Sequence, residues 1–221
     1  MNIKNNITNL RLNLPTGCKL IAVSKTHPAP LIQEAYDAGQ RIFGENKVQE
    51  LERKYQELPK DIEWHMIGHL QSNKVKYIAP FVALIHSVDS LKLLQEINKQ
   101  GEKANRIIPC LLQIHIAEEE TKFGFSDEEV LELLKDESLL KLHHIKIKGL
   151  MGMATFTSNT EQIRKEFKHL KTLYGKIKAL SLPATVEMSE LSMGMSSDYG
   201  IAIEEGSTMI RVGSSIFGTR H

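Results

Sequence analysis

Lys19-Leu-Ile-Ala-Val-Ser-Lys25, followed by the amphipathic stretch Ala29 to Ala38 and stopped by Gly39, decides the fold. Its apolar run is short and unbroken, as in strands buried on both faces of a parallel sheet. The stretch behind it has helical spacing and a glycine at its end. The same unit then returns along the chain. Arg41 to Glu45 precedes a helix from Lys47 to Leu58 with Pro59 beyond it, and Ile62 to Ile67 precedes a helix around Ser72 to Ile78. Ala83 to Ser87 leads into Asp89 or Ser90 as helix cap and a helix to about Lys103.

The long apolar run Ile107 to Ile116 is followed by a loop containing Lys122-Phe-Gly-Phe. Ser126-x-x-Glu129 is a capping-box pattern, and it predicts a helix through Leu140. Ile145 to Met151 precedes the longest helix, Thr160 to Leu180. Thr185 to Ser189 precedes a short one from Ser197 to Glu205, ended by Gly206, and Thr208 to Val212 is the last strand. Eight strand–helix units without hairpin signals predict an α/β fold, a single (β/α)₈ barrel over residues 1–221. The first 14 residues are expected to form a helix across the barrel bottom. A doubly wound open sheet has the same periodicity. The count of eight, the absence of Gly-x-Gly-x-x-Gly after the first strand, and polar motifs at the strand tips favour closure.

Composition agrees with one such domain. The 221 residues fall between the ~200 and ~250 that a barrel of this kind uses. A formal charge of +1 argues against general electrostatic binding of nucleic acid or anionic membrane. Cys18 and Cys110 have no metal or redox spacing and read as reduced cytosolic thiols. The start, MNIKNNITNLRLNL, lacks the apolar core and small-residue cleavage site expected of a signal peptide, and no run approaches the ~18 apolar residues of a spanning helix. The expected compartment is the cytoplasm and the expected state a monomer.

Function in such barrels sits in the loops after the strands. The tips read Ser24-Lys25-Thr26-His27, Gly44-Glu45-Asn46, Gly68-His69-Leu70-Gln71-Ser72-Asn73-Lys74, Leu191 to Ser197, and Gly213-Ser214-Ser215. Lys25 ends an apolar strand. A lysine packed there loses preference for its ammonium form, and the neutral amine can form an imine with an aldehyde. A snorkelling lysine is the plainer reading of Lys25 alone. The Gly- and Ser-rich tips after the last two strands are where this fold cradles phosphate, through backbone N–H groups and hydroxyls. Arg211 lies two residues before Gly213 and so faces the same way on a strand. Arginine against a pyridine nitrogen is one of the recognised arrangements around pyridoxal 5′-phosphate (PLP), and it keeps that nitrogen unprotonated. A buried ion pair of Arg211 with Glu187 or Glu204 competes with that role.

Ala22-Val-Ser-Lys25, Phe43-Gly-Glu-Asn46 with Val48-Gln-Glu50, and Trp64-His-Met-Ile-Gly68 with Leu70 to Lys74 resemble the YggS/PROSC family of pyridoxal-phosphate homeostasis proteins. Leu191 to Ser196 with Asp198, and Ile210-Arg-Val-Gly213 with Ile216-Phe-Gly218, carry the same resemblance. It covers nearly the whole chain, with the motifs in order. It implies a barrel like the N-terminal domain of alanine racemase (PLP fold type III), without that enzyme's second domain. It makes Lys25 the Schiff-base lysine and Arg211 the partner of the ring nitrogen. It puts Asn46 near the ring, and Ser192, Ser196, Gly213 and Ser214 around the phosphate, with the choice between Ser192 and Ser196 open. Storage, delivery or control of free PLP is implied, serving vitamin B6 and amino-acid balance, with PLP-dependent apo-enzymes as candidate recipients and no catalytic residue. Lys47 in place of Tyr, His115 in place of Asn, and a shorter N-terminal region depart from the family pattern.

Other readings are weaker. His65 and His69 have a zinc-like spacing, yet they flank Gly68 at a strand end, and no metal site is expected. His143-His144 lies in a basic surface segment. Met188, Met193 and Met195 read as packing. A PLP-dependent amino-acid racemase needs proton donors and acceptors on both faces of the substrate. Lys25 supplies one, and only Tyr199 among the five tyrosines falls in an active-face loop. A Schiff-base aldolase acting on a sugar phosphate needs the same lysine and cradle but no bound chromophore.

Overall fold

A computed structural model describes residues 2–118 and 123–218. Lys122, in the loop expected after the fifth strand, lies outside them. Eight strands close in sequence order into a parallel barrel: β1 (Lys19–Val23), β2 (Ile42–Glu45), β3 (Glu63–Met66), β4 (Leu84–Val88), β5 (Ile108–Ile114), β6 (Ile145–Gly152), β7 (Val186–Met195) and β8 (Met209–Val212). Closure is direct, since β1 pairs with β2 through Ala22↔Phe43 and with β8 through Ala22↔Val212. The helices are α1 (Ile3–Leu12), α2 (Ala29–Asp37), α3 (Val48–Glu57), α4 (Val75–Ile78), α5 (Leu91–Lys103), α6 (Asp127–Leu133), α7 (Thr160–Lys178), α8 (Tyr199–Glu204) and α9 (Ser214–Phe217).

Alternate residues of each strand face opposite sides, so the wall has two cores. Leu20, Ala22, Phe43 and Trp64 face outward and pack under the helices with Ile32, Leu51 and Phe167. Ile21, Leu84, Leu111, Met151 and Met209 form a smaller cluster within the barrel. That plug makes the interior a packed core with an open upper end. Among the described residues no helix is long and apolar enough to cross a membrane.

Local chemistry sets the boundaries. Ser90 rather than Asp89 caps α5, its hydroxyl accepting the Leu93 N–H at 3.3 Å. Ser126 and Glu129 form the expected capping box at α6. That helix stops at Leu133, however, and does not run to Leu140. The Asp136 carboxylate accepts the Ser138 N–H at 2.8 Å and starts a separate 3₁₀ turn, Glu137–Lys141, because a side-chain acceptor there competes with helix continuation. Residues 72–74 are likewise 3₁₀ before the single α turn of α4. The N-terminal helix lies on the barrel flank against α2 and α9, not across the bottom, with Asn6 donating to the Ile216 carbonyl at 2.9 Å.

The largest departure bears on function. β7 does not end at Ser189 but continues to Met195. The residues read as a loop from Leu191 therefore include the end of a strand, and Ser192 faces the barrel interior. The Asp198 carboxylate accepts the Met195 N–H, and α8 starts at Tyr199 instead of Ser197. The short helix α9 directly after β8 was not foreseen.

Candidate functional site

A cavity of about 610 Å³ opens at the C-terminal ends of the strands. Lys25, Asn46, Arg211, Ser196, Gly213 and Ser214 all line it, six of the seven residues singled out in the sequence. Its apolar walls are Val23, Ile67, Met153 and Met195, with the exposed Phe156 on the rim. A hollow of about 540 Å³ at the opposite end, around Arg11 and Cys18, has neither the strand-end lysine nor the serine turns.

Lys25 is half-buried just beyond β1. The next residue, Thr26, has φ +69°, a left-handed conformation that costs a β-branched residue about 1–3 kcal/mol. The turn is held from helix α3. Lys54, fully buried, donates to the Ser24 carbonyl at 2.8 Å, to Glu45 Oε1 at 2.7 Å and to Glu50 Oε1 at 2.6 Å. Glu50 in turn accepts the Thr26 N–H at 2.7 Å, and the Ser24 hydroxyl donates to Glu45 at 2.6 Å. Burial pushes the Glu45 carboxyl up, and Lys54 and Ser24 draw it part of the way back. Burial also pushes Glu50 upward, but hydrogen bonds from Lys54 and Thr26 outweigh it and hold that carboxyl below its ordinary range. Sequence reading passed over Lys54. Its signal was position: Val48, Leu51 and Lys54 recur at helical spacing on the buried side of α3.

Asn46 follows β2 and is placed by a close approach. A Cβ on Gly68 would lie 2.4 Å from the Asn46 carbonyl oxygen, so only glycine lets the β3 tip pass. Gly213 serves a similar end, since a Cβ there would lie 3.1 Å from the Val23 carbonyl oxygen, where β8 meets β1. Its N–H donates to Ser196 Oγ at 3.2 Å and joins the two serine turns. The start of α9 has no side-chain cap, which leaves the amides of Ser214 and Ser215 without an intrahelical acceptor. Ser197 and Ser215, not singled out earlier, complete the hydroxyl-rich wall.

Arg211 is only 4% exposed and forms the cavity floor. It donates to Ser192 Oγ at 2.6 Å and to the Gly152 carbonyl at 3.0 Å. Burial lowers its pKa to about 10, against the attraction of Asp198, so the guanidinium stays charged at neutral pH. Neither alternative ion pair forms: Glu187 bonds Lys148, and Glu204 pairs with Arg164 at 2.5 Å. Ser192 is the seventh predicted residue, and it does not line the cavity. It is fully buried beneath Arg211, a position fixed by the extra length of β7, whereas Ser196 lines the cavity. His86 Nδ1 lies 3.0 Å from Ser192 Oγ, and His65 Nδ1 lies 2.9 Å from His86 Nε2. His65 thus turns into the barrel, while His69 sits on the surface against Asp89 and Phe123. Among the described residues no cluster of three or more His, Cys, Asp or Glu can hold a metal ion.

A strand-end lysine, a buried arginine and paired serine turns around one cavity of a closed barrel define the class of alanine racemase N-terminal-type barrels. The family model described as alanine racemase, N-terminal domain, matches residues 1–221. Within that class the chain belongs to the pyridoxal phosphate homeostasis protein family. It is 42% identical over 203 residues to the pyridoxal phosphate homeostasis protein of Aquifex aeolicus, covering 91% of this chain and 87% of that one. PipY of Synechococcus elongatus, solved with PLP bound, superposes with a TM-score of 0.89 at 37% identity, covering 98% of this chain and 100% of that one. Alanine racemase from E. faecalis has a TM-score of 0.74 at 16% identity. The match covers 99% of this chain but 58% of that one, a likeness of fold alone.

Proposed function

We propose that this chain binds PLP in the upper cavity and stores, delivers or controls the free cofactor rather than catalysing a reaction. The observation that carries this reading is the fit of one cavity to every part of the cofactor. Lys25 offers the amine that an aldehyde needs. Arg211 offers a fixed positive donor to a ring nitrogen, and Val23, Ile67, Met153 and Met195 offer apolar contact to a ring. Asn46 lines the same cavity and would lie near the ring. Ser196, Gly213 and Ser214, with Ser197 and Ser215, offer N–H and hydroxyl donors to a phosphate. When bound, PLP would supply a reactive aldehyde beside the Lys25 amine and a ring able to accept electrons.

The chain's own residues restrain that chemistry. Arg211 stays protonated and so favours an unprotonated ring nitrogen, which weakens the ring as an electron sink. Lys25 can hold or move a proton on one face. Among the described residues lining the cavity, no Tyr, His, Asp, Glu or Cys faces it from the other side, and Tyr199 packs into the helix layer instead. A missing general acid–base partner costs about 10²–10⁴-fold in rate. The recipients in this reading are PLP-dependent apo-enzymes, and the protein works as a monomer in the cytoplasm.

Two assays on the PLP-loaded protein test the proposal. Mixed with an apo PLP-dependent enzyme, it should restore that enzyme's activity stoichiometrically. Incubated with single L-amino acids, it should yield no D-amino acid above a Lys25→Ala control. Multiple turnovers of any D-amino acid, lost in that control, would make the protein a racemase and overturn the carrier reading.

A further inference from the structure

The polar chain below Arg211 is unexpected in a barrel otherwise filled by Ile21, Leu84, Leu111, Met151 and Met209. It runs Arg211–Ser192–His86–His65, from the cavity floor toward the far end of the barrel, and every member is at most 4% exposed. Buried polar groups persist where their hydrogen bonds are complete, and of the two relays these contacts allow, only the one running from Ser192 through His86 to His65 uses the serine's own proton. A guanidinium has donors only, so Ser192 Oγ must accept from Arg211. The serine's single proton then points to His86 Nδ1. His86 carries its own proton on Nε2 and donates it to His65 Nδ1, and His65 is protonated on Nε2. Both imidazoles are neutral: burial lowers the pKa of His65 to about 3 and that of His86 well below its ordinary value.

We propose that His86 is a positioning residue, which takes the Ser192 proton, locks the serine oxygen as an acceptor and so aims the Arg211 guanidinium into the cavity. The inference rests on the proposed PLP site for its consequence but not for its geometry. Without the His86 acceptor, Ser192 is free to rotate, and among the described residues Arg211 keeps only the Gly152 carbonyl as a fixed hydrogen-bond partner. An arginine that tilts away gives up its contact with a ring nitrogen. His65 belongs to the same chain, because its Nδ1 selects the tautomer that leaves His86 Nδ1 bare.

The test starts with the protein free of PLP. Nitrogen-15 NMR of the histidine rings should show His86 neutral and protonated on Nε2, and an Nδ1-protonated His86 would overturn the proposal outright. His86→Leu should shift the Arg211 side-chain signals, while His86→Asn, whose amide oxygen can stand near Nδ1, should largely restore them. With PLP carrying a nitrogen-15 ring label, His86→Leu should move the ring-nitrogen shift and weaken binding about tenfold, a loss in the range of one hydrogen bond to a charged group. Ser192→Ala should move the Arg211 and ring-nitrogen signals in the same way, and it decides the matter if His86→Leu fails to fold. Folded His86→Leu with unchanged Arg211 and ring-nitrogen signals would refute the positioning role. If wild type forms no Schiff base, the PLP reading fails by itself, and the PLP-free Arg211 signals still decide this inference.

Discussion

Replacing Lys54 by Met tests whether the turn that presents Lys25 is held from α3. The substitution keeps an unbranched side chain of similar length and removes one buried charge. It strands Glu45, whose side chain is fully buried and whose Oε2 already has no partner among the described residues. It also removes the donor to the Ser24 carbonyl and frees Glu50 from its clamp on Thr26. Removing one partner of a buried ion pair costs about 3–5 kcal/mol. For a chain of this size, 1 kcal/mol corresponds to roughly 2–4 °C in Tm, so the expected fall is roughly 6–20 °C at pH 7.5. Glu45 can escape by taking a proton, and its carboxyl is already raised by burial. A carboxyl raised in the folded state favours folding at low pH and costs stability as pH rises through its folded pKa. The defect should therefore shrink toward pH 5. Lys54→Met with Glu45→Gln should recover most of the loss, because the orphaned group is then neutral. Urea melts at both pH values measure this. A single variant within about 1 kcal/mol of wild type at pH 7.5, or a double variant no better than the single, would refute the account of the turn.

Acidification should destabilise the wild type through its neutral histidines. His65 titrates near 3 in the fold and near 6.5 when unfolded, so its contribution is complete above pH 6.5 and falls away toward pH 3. Between pH 7.5 and 5.5 urea melts should lose about 1 kcal/mol for His65 and as much for His86, and His65→Gln should flatten the profile. Gly68→Ala should unfold or displace the site, because its Cβ would meet the Asn46 backbone at 2.4 Å. A Tm within 2 °C of wild type (under about 1 kcal/mol for a chain this size) would show that the β3 tip yields easily. Arg211→Glu should let a bound ring nitrogen take a proton and change the visible spectrum of the PLP complex. An unchanged spectrum at full loading would place the guanidinium elsewhere.

The barrel was legible because its signals are periodic and local. Apolar strand runs recur eight times, and the helix caps Ser90 and Ser126 and the glycine stops Gly39 and Gly206 agree with them. The strand-tip rule then placed Lys25, Asn46, Arg211, Gly213 and Ser214 at one end without further information. What escaped was set by tertiary contacts. Leu191 to Met195 carries glycine and serine and reads as a loop, yet pairing with β6 and β8 extends β7 through it. Ser192 moves inside as a result. His86 sits between Ile85 and Ser87 on a strand buried throughout, and nothing local says that its ring meets His65 and Ser192. Lys54 looks like a solvated helix lysine until the acids it meets, Glu45 and Glu50, are seen around it. The alternation Leu84-Ile-His does put His86 on the inner face, a signal that identifies the face but not the partner.

The central claim is that Lys25 is the residue to which PLP attaches, and borohydride reduction of the PLP-loaded protein followed by peptide mapping tests it most directly. Reduction should bleach the visible band and leave one phosphopyridoxyl group on the peptide containing Lys25. Lys25→Ala should lose both band and label, while still binding PLP more weakly through the serine turns. A label on another lysine, or an undiminished visible band in Lys25→Ala, would contradict the account.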